Sequence, residues 1–116
     1  MKRARAVATL AALAQDIRLD AFRLLARAGP NGMPAGRVAE ALGVAPNTLT
    51  FHLDRLRQAD LITVERDGRS MIYSAHHRTM YLLIEFLTEN CCQGAPTRSR
   101  SAASKPARAK RKEAVS

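Results

Sequence analysis

The chain has 116 residues, 47% hydrophobic, 4% aromatic and without tryptophan, which suits one small domain of Ala- and Leu-rich helices and is too short for two cores. The net charge of +9 is uneven, because seven Lys/Arg against one Glu in residues 95–116 give the tail +6 and leave +3 to the rest. Basicity of this kind points to a polyanionic partner, nucleic acid first, while a content of only two cysteines excludes a disulfide-built secreted scaffold.

Lys2, Arg3 and Arg5 precede the run "AVATLAALA", which has the outline of a secretory leader with Ala12-Leu13-Ala14 as a small-x-small site. The helical pattern continues past it, so a retained first helix is expected over residues 4–14, with Val7, Leu10 and Leu13 at helical spacing. Asp16 is placed to cap a second helix whose apolar face is Ile17, Leu19, Phe22, Leu24 and Leu25, and "AGPNG" ends it. A short third helix is expected over residues 34–42, with Val38, Ala39 and Leu42 inward and Gly43 as its stop. Pro46 or Asn47 opens a fourth, on which Leu49, Leu53 and Leu56 form one stripe at i, i+4 and i+7. Two short helices joined through "LGV" make a helix-turn-helix pattern.

The period then changes. In "LITVERDGRSMIYSA", Ile62, Val64, Met71, Ile72 and Tyr73 flank Asp67-Gly68, a strong hairpin signal. A last helix follows over residues 78–91, and its "MYLLIEFL" is apolar around most of the circumference, which calls for a second subunit to cover it. The fold expected is mainly α with one β-hairpin, a winged helix-turn-helix, over residues 1–94. Residues 95–116, rich in Ser, Pro and Lys/Arg, lack the apolar side chains for a core and are expected to form a basic disordered tail. No stretch approaches the roughly 18 apolar residues of a membrane span, so a cytoplasmic protein without a membrane partner is expected.

Rotating the fourth helix at about 100° per residue sets Leu49, Leu53 and Leu56 inward, with His52 at the edge of that arc. Asn47, Phe51, Asp54, Arg55 and Gln58 turn outward, flanked by Thr48 and Thr50. In a helix-turn-helix the start of the second helix enters the major groove. There Asn suits adenine, Thr a base or phosphate, and an apolar group a thymine methyl. Asn47 suits an N-cap equally well, Thr48 and Thr50 suit a solvated flank, and His52 suits packing or a phosphate. Asp54 would repel a phosphate. Arg66 and Arg69 bracket the hairpin tip, placed to straddle a DNA backbone or to solubilise the turn.

"ENCCQG" holds the two cysteines, Cys91 and Cys92. Neighbouring Cα atoms lie about 3.8 Å apart, short of the roughly 4.4–6.8 Å of a relaxed disulfide, so a reduced pair is expected. Gly94 and Pro96 mark a helix stop just beyond. The negative end of the helix dipole and Glu89 then both disfavour a thiolate, which speaks against a catalytic thiol. An enzyme would also need an activating base or an anion-cradling Gly-rich loop, and no such loop precedes a helix in this sequence.

In this order, "APNTLTFHLDRLRQADLI", "ERDGRSMIYSA" and "FLTENCCQG" resemble the ArsR family of metalloid-responsive winged-helix repressors, and "LAQDIRLDAFRLLA" is similar to that family's second helix. The resemblance covers about residues 8–94. It implies a homodimer built on the first and last helices, bound to double-stranded operator DNA and released by an inducer. Family members with inducer cysteines before the recognition helix are not matched, since "MPAGRVAEALGV" has none. Zinc-sensing relatives use further His or Glu along the last helix, whereas His76 and His77 precede it, so no zinc is expected. Members with a Cys-Cys pair at the end of the last helix bind trivalent arsenic, and Cys91-Cys92 match that pair without the third cysteine. The resemblance thus implies arsenite or methylarsenite as inducer, soft and suited to thiolates. Water, a small thiol or an organic group on arsenic would complete the set. A redox-sensing repressor using the same cysteines is the alternative.

Overall fold

The first helix, α1 (Arg3–Leu13), turns its small residues inward: Ala6 and Thr9 are buried, and Thr9 Oγ1 donates to the Arg5 carbonyl at 2.9 Å. This computed structural model describes residues 1–89; Cys91, Cys92 and the tail at 95–116 lie outside the described residues. Residues 1–86 form one compact unit, and residues 87–89 begin a second. The expected stripe of α1 is corrected here, because Val7 and Leu10 are exposed and only Leu13 packs toward the core. Small side chains permit close approach of one helix to another, so Ala6 and Thr9 meet the body of the unit.

Gln15 caps the next helix, α2 (Asp16–Ala28), its Oε1 accepting from the Arg18 amide at 2.9 Å, while Asp16 occupies the first turn. The expected cap is thus one residue late. Ala21, Phe22 and Leu25 are buried, but Leu19, assigned from sequence to the apolar face, is exposed. A two-residue strand, β1 (Met33–Pro34), leads into α3 (Ala35–Leu42), which buries Val38 and Ala39. Gly43 closes α3 with bonds from its own amide to Glu40 O at 3.3 Å and from Val44 N to Ala39 O at 3.0 Å.

Pro46 takes the first position of α4 (Pro46–Gln58), where its missing N–H costs nothing. Leu49, Leu53 and Leu56 are fully buried, as their spacing implies. Beyond the cap residue Ala59, Asp60 turns the chain with φ 60, Asp60 N bonding Arg57 O at 2.9 Å and Leu61 N bonding Leu56 O at 3.0 Å. Leu61 and Ile62 then enter the core built by α2, α3 and α4.

The wing is β2 (Ile62–Asp67) paired antiparallel with β3 (Ser70–Ala75), Asp67 opposite Ser70. Its two-residue turn is therefore Gly68-Arg69, one residue later than expected, with Gly68 at φ 65 in the first central position, as a type II′ turn requires. The sheet has a third strand that the sequence pattern did not reveal: β1 pairs with β3, Met33 opposite Tyr73 and Pro34 opposite Ile72, giving the order β1-β3-β2. Pro34 is tolerated there because β1 is an edge strand. Gly32 makes this pairing sterically possible: at φ 67, a Cβ on it would collide with the Tyr73 carbonyl oxygen and Ser74 Oγ.

α5 (His77–Thr88) buries Thr79 and Leu83 and exposes Tyr81 and Ile84. Its junction with the wing is tied by His76, whose amide donates to Leu61 O at 2.8 Å. The His76 Nδ1 also lies 3.0 Å from the Asp60 carbonyl and 3.1 Å from Thr79 Oγ1. A carbonyl can only accept, so the Asp60 contact is a hydrogen bond with the ring proton on Nδ1, whereas the Thr79 hydroxyl donates to Nδ1 in the other tautomer. Among the described residues no helix is long and apolar enough to cross a membrane.

Candidate nucleic-acid interface

The outer face of α4 starts at an N-terminus without a side-chain cap, because the cap residue is Ala45. The amide of Leu49 is the first in the helix to find a carbonyl, that of Ala45 at 3.0 Å, which leaves the amides of Asn47 and Thr48 in the open first turn. Such donors at a helix start suit a phosphate. Asn47 is itself in the helix, so its side chain is not the cap that its residue type suggested. Both Asn47 and Thr48 are exposed. Thr50 is exposed too, but its hydroxyl already donates to the Pro46 carbonyl at 2.9 Å, leaving its lone pairs and methyl to offer outward.

One turn further on, Phe51 is 53% exposed, and the Arg55 guanidinium lies 5.0 Å from its ring centroid. This i, i+4 stack holds Arg55 over an aromatic face. Asp54 is neutralised within the helix: its carboxylate accepts from Arg57 at 2.6 Å and from Gln58 at 2.7 Å. The repulsion expected between Asp54 and a phosphate is offset by that local pairing.

Of the two roles expected for His52, packing or a phosphate contact, the structure places it in packing. It is only 9% exposed, edge-on to Phe51 with centroids 5.4 Å apart, and its Nδ1 has no hydrogen-bond partner among the described residues. Burial first, and then the charge of Arg18, hold its pKa below the ordinary 6.5, so the ring is neutral at pH 7. The buried side of α4 packs against α2, and His52, one residue before Leu53, falls on that side. Arg18 is the neighbour that sequence reasoning missed; it is remote in sequence, on α2.

At the wing, Arg66 lies on β2 opposite Met71, and Arg69 occupies the turn itself. Both are exposed, and neither has an acidic partner within ion-pair distance among the described residues. Below α4, Asp60 joins several elements: its carboxylate takes the Arg5 guanidinium of α1 at 3.0 Å, and its carbonyl takes the His76 ring. His76 is thereby committed to the scaffold, while His77 is exposed beside Tyr81. Among the described residues no three His, Cys, Asp or Glu side chains are grouped to hold a metal ion.

Residues 5–65 match the family model of a helix-turn-helix domain. The chain is 34% identical over 82 residues to the HTH-type transcriptional regulator NmtR of Mycobacterium tuberculosis, a match that covers 71% of this chain and 66% of that protein. Another curated regulator is matched over only 18% of its length, so the chain spans less than two thirds of either relative. Among solved structures it is similar to an ArsR-like transcriptional regulator from Rhodococcus sp. RHA1, with TM-score 0.70, 22% identity and coverage of 78% of this chain and 83% of that one. The homodimeric winged helix-turn-helix DNA-binding domain of a possible ArsR-family regulator from Mycobacterium bovis has the same fold, with TM-score 0.61, 19% identity and coverage of 82% and 88%.

Proposed function

Because the chain belongs to the helix-turn-helix domain family and has the winged fold of ArsR-like transcriptional regulators, we propose that it represses transcription as a homodimer on operator DNA and is released by trivalent arsenic at Cys91 and Cys92. The observation that carries the DNA reading is the outer face of α4. An uncapped first turn, exposed Asn47 and Thr48, and the Phe51–Arg55 stack share that face, with Arg66 and Arg69 at the wing tip. Asn47 and Arg55 offer donors to base edges or phosphates, and Phe51 and the Thr50 methyl offer apolar contact to thymine. Arg66 and Arg69 would meet the phosphate backbone, which positions without specifying.

The dimer reading is supported by Val7 and Leu10 on α1 and by Tyr81 and Ile84 on α5, all apolar or aromatic and exposed in the single chain. A second copy is the occupant favoured for both faces, as in the homodimeric relative from Mycobacterium bovis.

The inducer reading rests on the adjacent thiols in "ENCCQG" and on the softness of trivalent arsenic, which prefers sulfur. With two sulfurs from the chain, methylarsenite completes its coordination with its own methyl group, whereas arsenite needs a further ligand from solution. Release requires the inducer to favour a dimer geometry that does not match successive major-groove turns, about 34–36 Å apart. Coupling of about 1–3 kcal/mol suffices to lower affinity some 5–150-fold.

The test uses a duplex selected by the protein from a random pool, followed by fluorescence anisotropy. Cys91→Ser and Cys92→Ser should each bind this duplex like the parent and lose the response to arsenite and methylarsenite. Methylarsenite should release the parent at least as well as arsenite does. A double Ser variant that still lets go of DNA with arsenite places the inducer site elsewhere. Release by peroxide but not by arsenicals would favour the redox alternative.

A further inference from the structure

A groove of about 640 Å³ runs between α1, the start of α2 and the recognition face of α4. Its size lies within the usual range for small-molecule sites, roughly 300–1,000 Å³. One wall is apolar, made by Ala8, Ala11 and Ala12 of α1. The opposite wall carries Phe51, His52 and Arg55 of α4, and Arg18 of α2 lines the groove as well. Among the described residues, neither Arg18 nor Arg55 has a carboxylate within ion-pair distance. Asp54, on the same helix as Arg55, is occupied by Arg57 and Gln58. The groove therefore combines positive charge with an apolar surface.

A second, independent observation lies at the groove's edge. Arg18 Nε and the Nδ1 of the nine-tenths-buried His52 are both closed off from solvent without a hydrogen-bond partner. Leaving a buried polar group unpaired costs roughly 1–3 kcal/mol, and native proteins keep such groups few. Both belong to residues that line the groove, so the polar capacity of its wall is not spent on partners among the described residues.

We propose that this groove binds a small organic carboxylate, its acid group drawn to the Arg18 and Arg55 guanidinium groups and its apolar body laid against the alanines of α1 and the Phe51 ring. The acid pairs with guanidinium groups that have no carboxylate partner among the described residues. Two guanidinium groups and an apolar wall discriminate a carboxylate from its uncharged amide, since the amide leaves both cations without an anion.

Phe51 and Arg55 belong at once to this groove and to the outer face of α4, so a seated carboxylate withdraws them from DNA. Occupancy and operator binding are then mutually exclusive. This gives a second inducer input that needs no thiol. Its competitive part rests on the reading of α4 as the recognition helix, whereas binding itself does not.

The full chain carrying Cys91→Ser and Cys92→Ser separates this input from arsenic. Benzoate, 3-phenylpropionate and octanoate, with benzamide as the neutral control, are to be titrated by calorimetry in the absence of DNA. At least one acid should bind, with benzamide weaker by about tenfold or more. Arg18→Gln should weaken the acid by about tenfold or more. Ala11→Leu, which fills the groove from an exposed position, should abolish binding. Both variants should keep the parent's affinity for the selected duplex, which also shows that they fold. Anisotropy with the duplex should then show release by the acid in the parent and none in Ala11→Leu.

No heat from any acid up to about 1 mM, equal binding of acid and amide, or indifference to both Arg18→Gln and Ala11→Leu overturns the site. Acid binding that leaves DNA affinity unchanged overturns the competition.

Discussion

Gly32 and Gly68 both have positive φ, 67 and 65, yet they differ in what surrounds them. A Cβ on Gly68 meets open space, so Gly68→Ala carries only the backbone penalty of the left-handed region, about 1–2 kcal/mol. At Gly32 the same penalty is joined by a collision with the Tyr73 carbonyl, a backbone atom that cannot swing away. Forced overpacking adds about 1–3 kcal/mol, so Gly32→Ala should lose clearly more stability than Gly68→Ala. Urea unfolding midpoints of the two variants measure this, and equal losses would show that β1 yields freely. The same scale shows what residue type alone conveys. Asn47 is a good cap by type, but Pro46 ahead of it takes the first helical position and moves the cap back to Ala45. His52 sits at the margin of an inward arc by rotation alone, and only the packing of α2 decided that it is buried.

Among the elements, α1 and α5 add only the partly buried Ala12, Leu13 and Met80 to the core cluster, which α2, α3, α4 and the start of β2 build around Leu25, Leu49 and Leu56. α5 distinguishes its own two faces sharply: Leu83 is 3% exposed and Ile84 is 49% exposed. These neighbours therefore test different things. A charge at Leu83 enters the interior of the chain's own unit and should unfold it, because buried unpaired charge is very costly. Ile84→Glu changes a half-exposed position, where a charge stays in reach of solvent, and should act chiefly on what covers α5. It should weaken self-association by about tenfold or more, with an unchanged thermal midpoint in the monomer, and operator affinity should fall with it. Sedimentation velocity with parallel melts decides; a variant as dimeric as the parent would remove α5 from the interface. The apolar circumference of "MYLLIEFL" was legible as a demand for cover on several sides. Which side chain meets the chain's own core and which stays exposed was not, since both sets are apolar.

For the whole molecule, the division of charge matters more than its sum. The chain carries +9, of which residues 95–116 hold +6. If the tail contacts phosphates without reading bases, each contact releases counterions and steepens the salt dependence by about 0.9 on a log–log scale. Deleting residues 95–116 should therefore flatten that slope and lower affinity for selected and random duplexes together. The ratio between the two should hold if, as proposed, the base contacts come from α4. A collapse of that ratio on deletion would mean that the tail contributes to base readout.

Patterns with a fixed local period were determined by the sequence alone. The Leu49, Leu53 and Leu56 stripe, the change to strand alternation after Leu61, and the turn signal around Gly68 each depend on a few consecutive residues, and each is present in the structure. The ordered motifs likewise carried the winged helix-turn-helix fold, since two short helices, a hairpin and a final helix leave few ways to bury one core. Tertiary structure decided what no local period encodes. The alanines of α1 allow nearly any face to turn inward, and close packing selected Ala6 and Thr9 over Val7 and Leu10. The two-residue β1 is too short to show alternation and exists because Gly32 lets the chain approach β3. The groove shared by Arg18, His52 and Arg55 arises only where three helices meet, because residues far apart in sequence become one surface when their backbones pack.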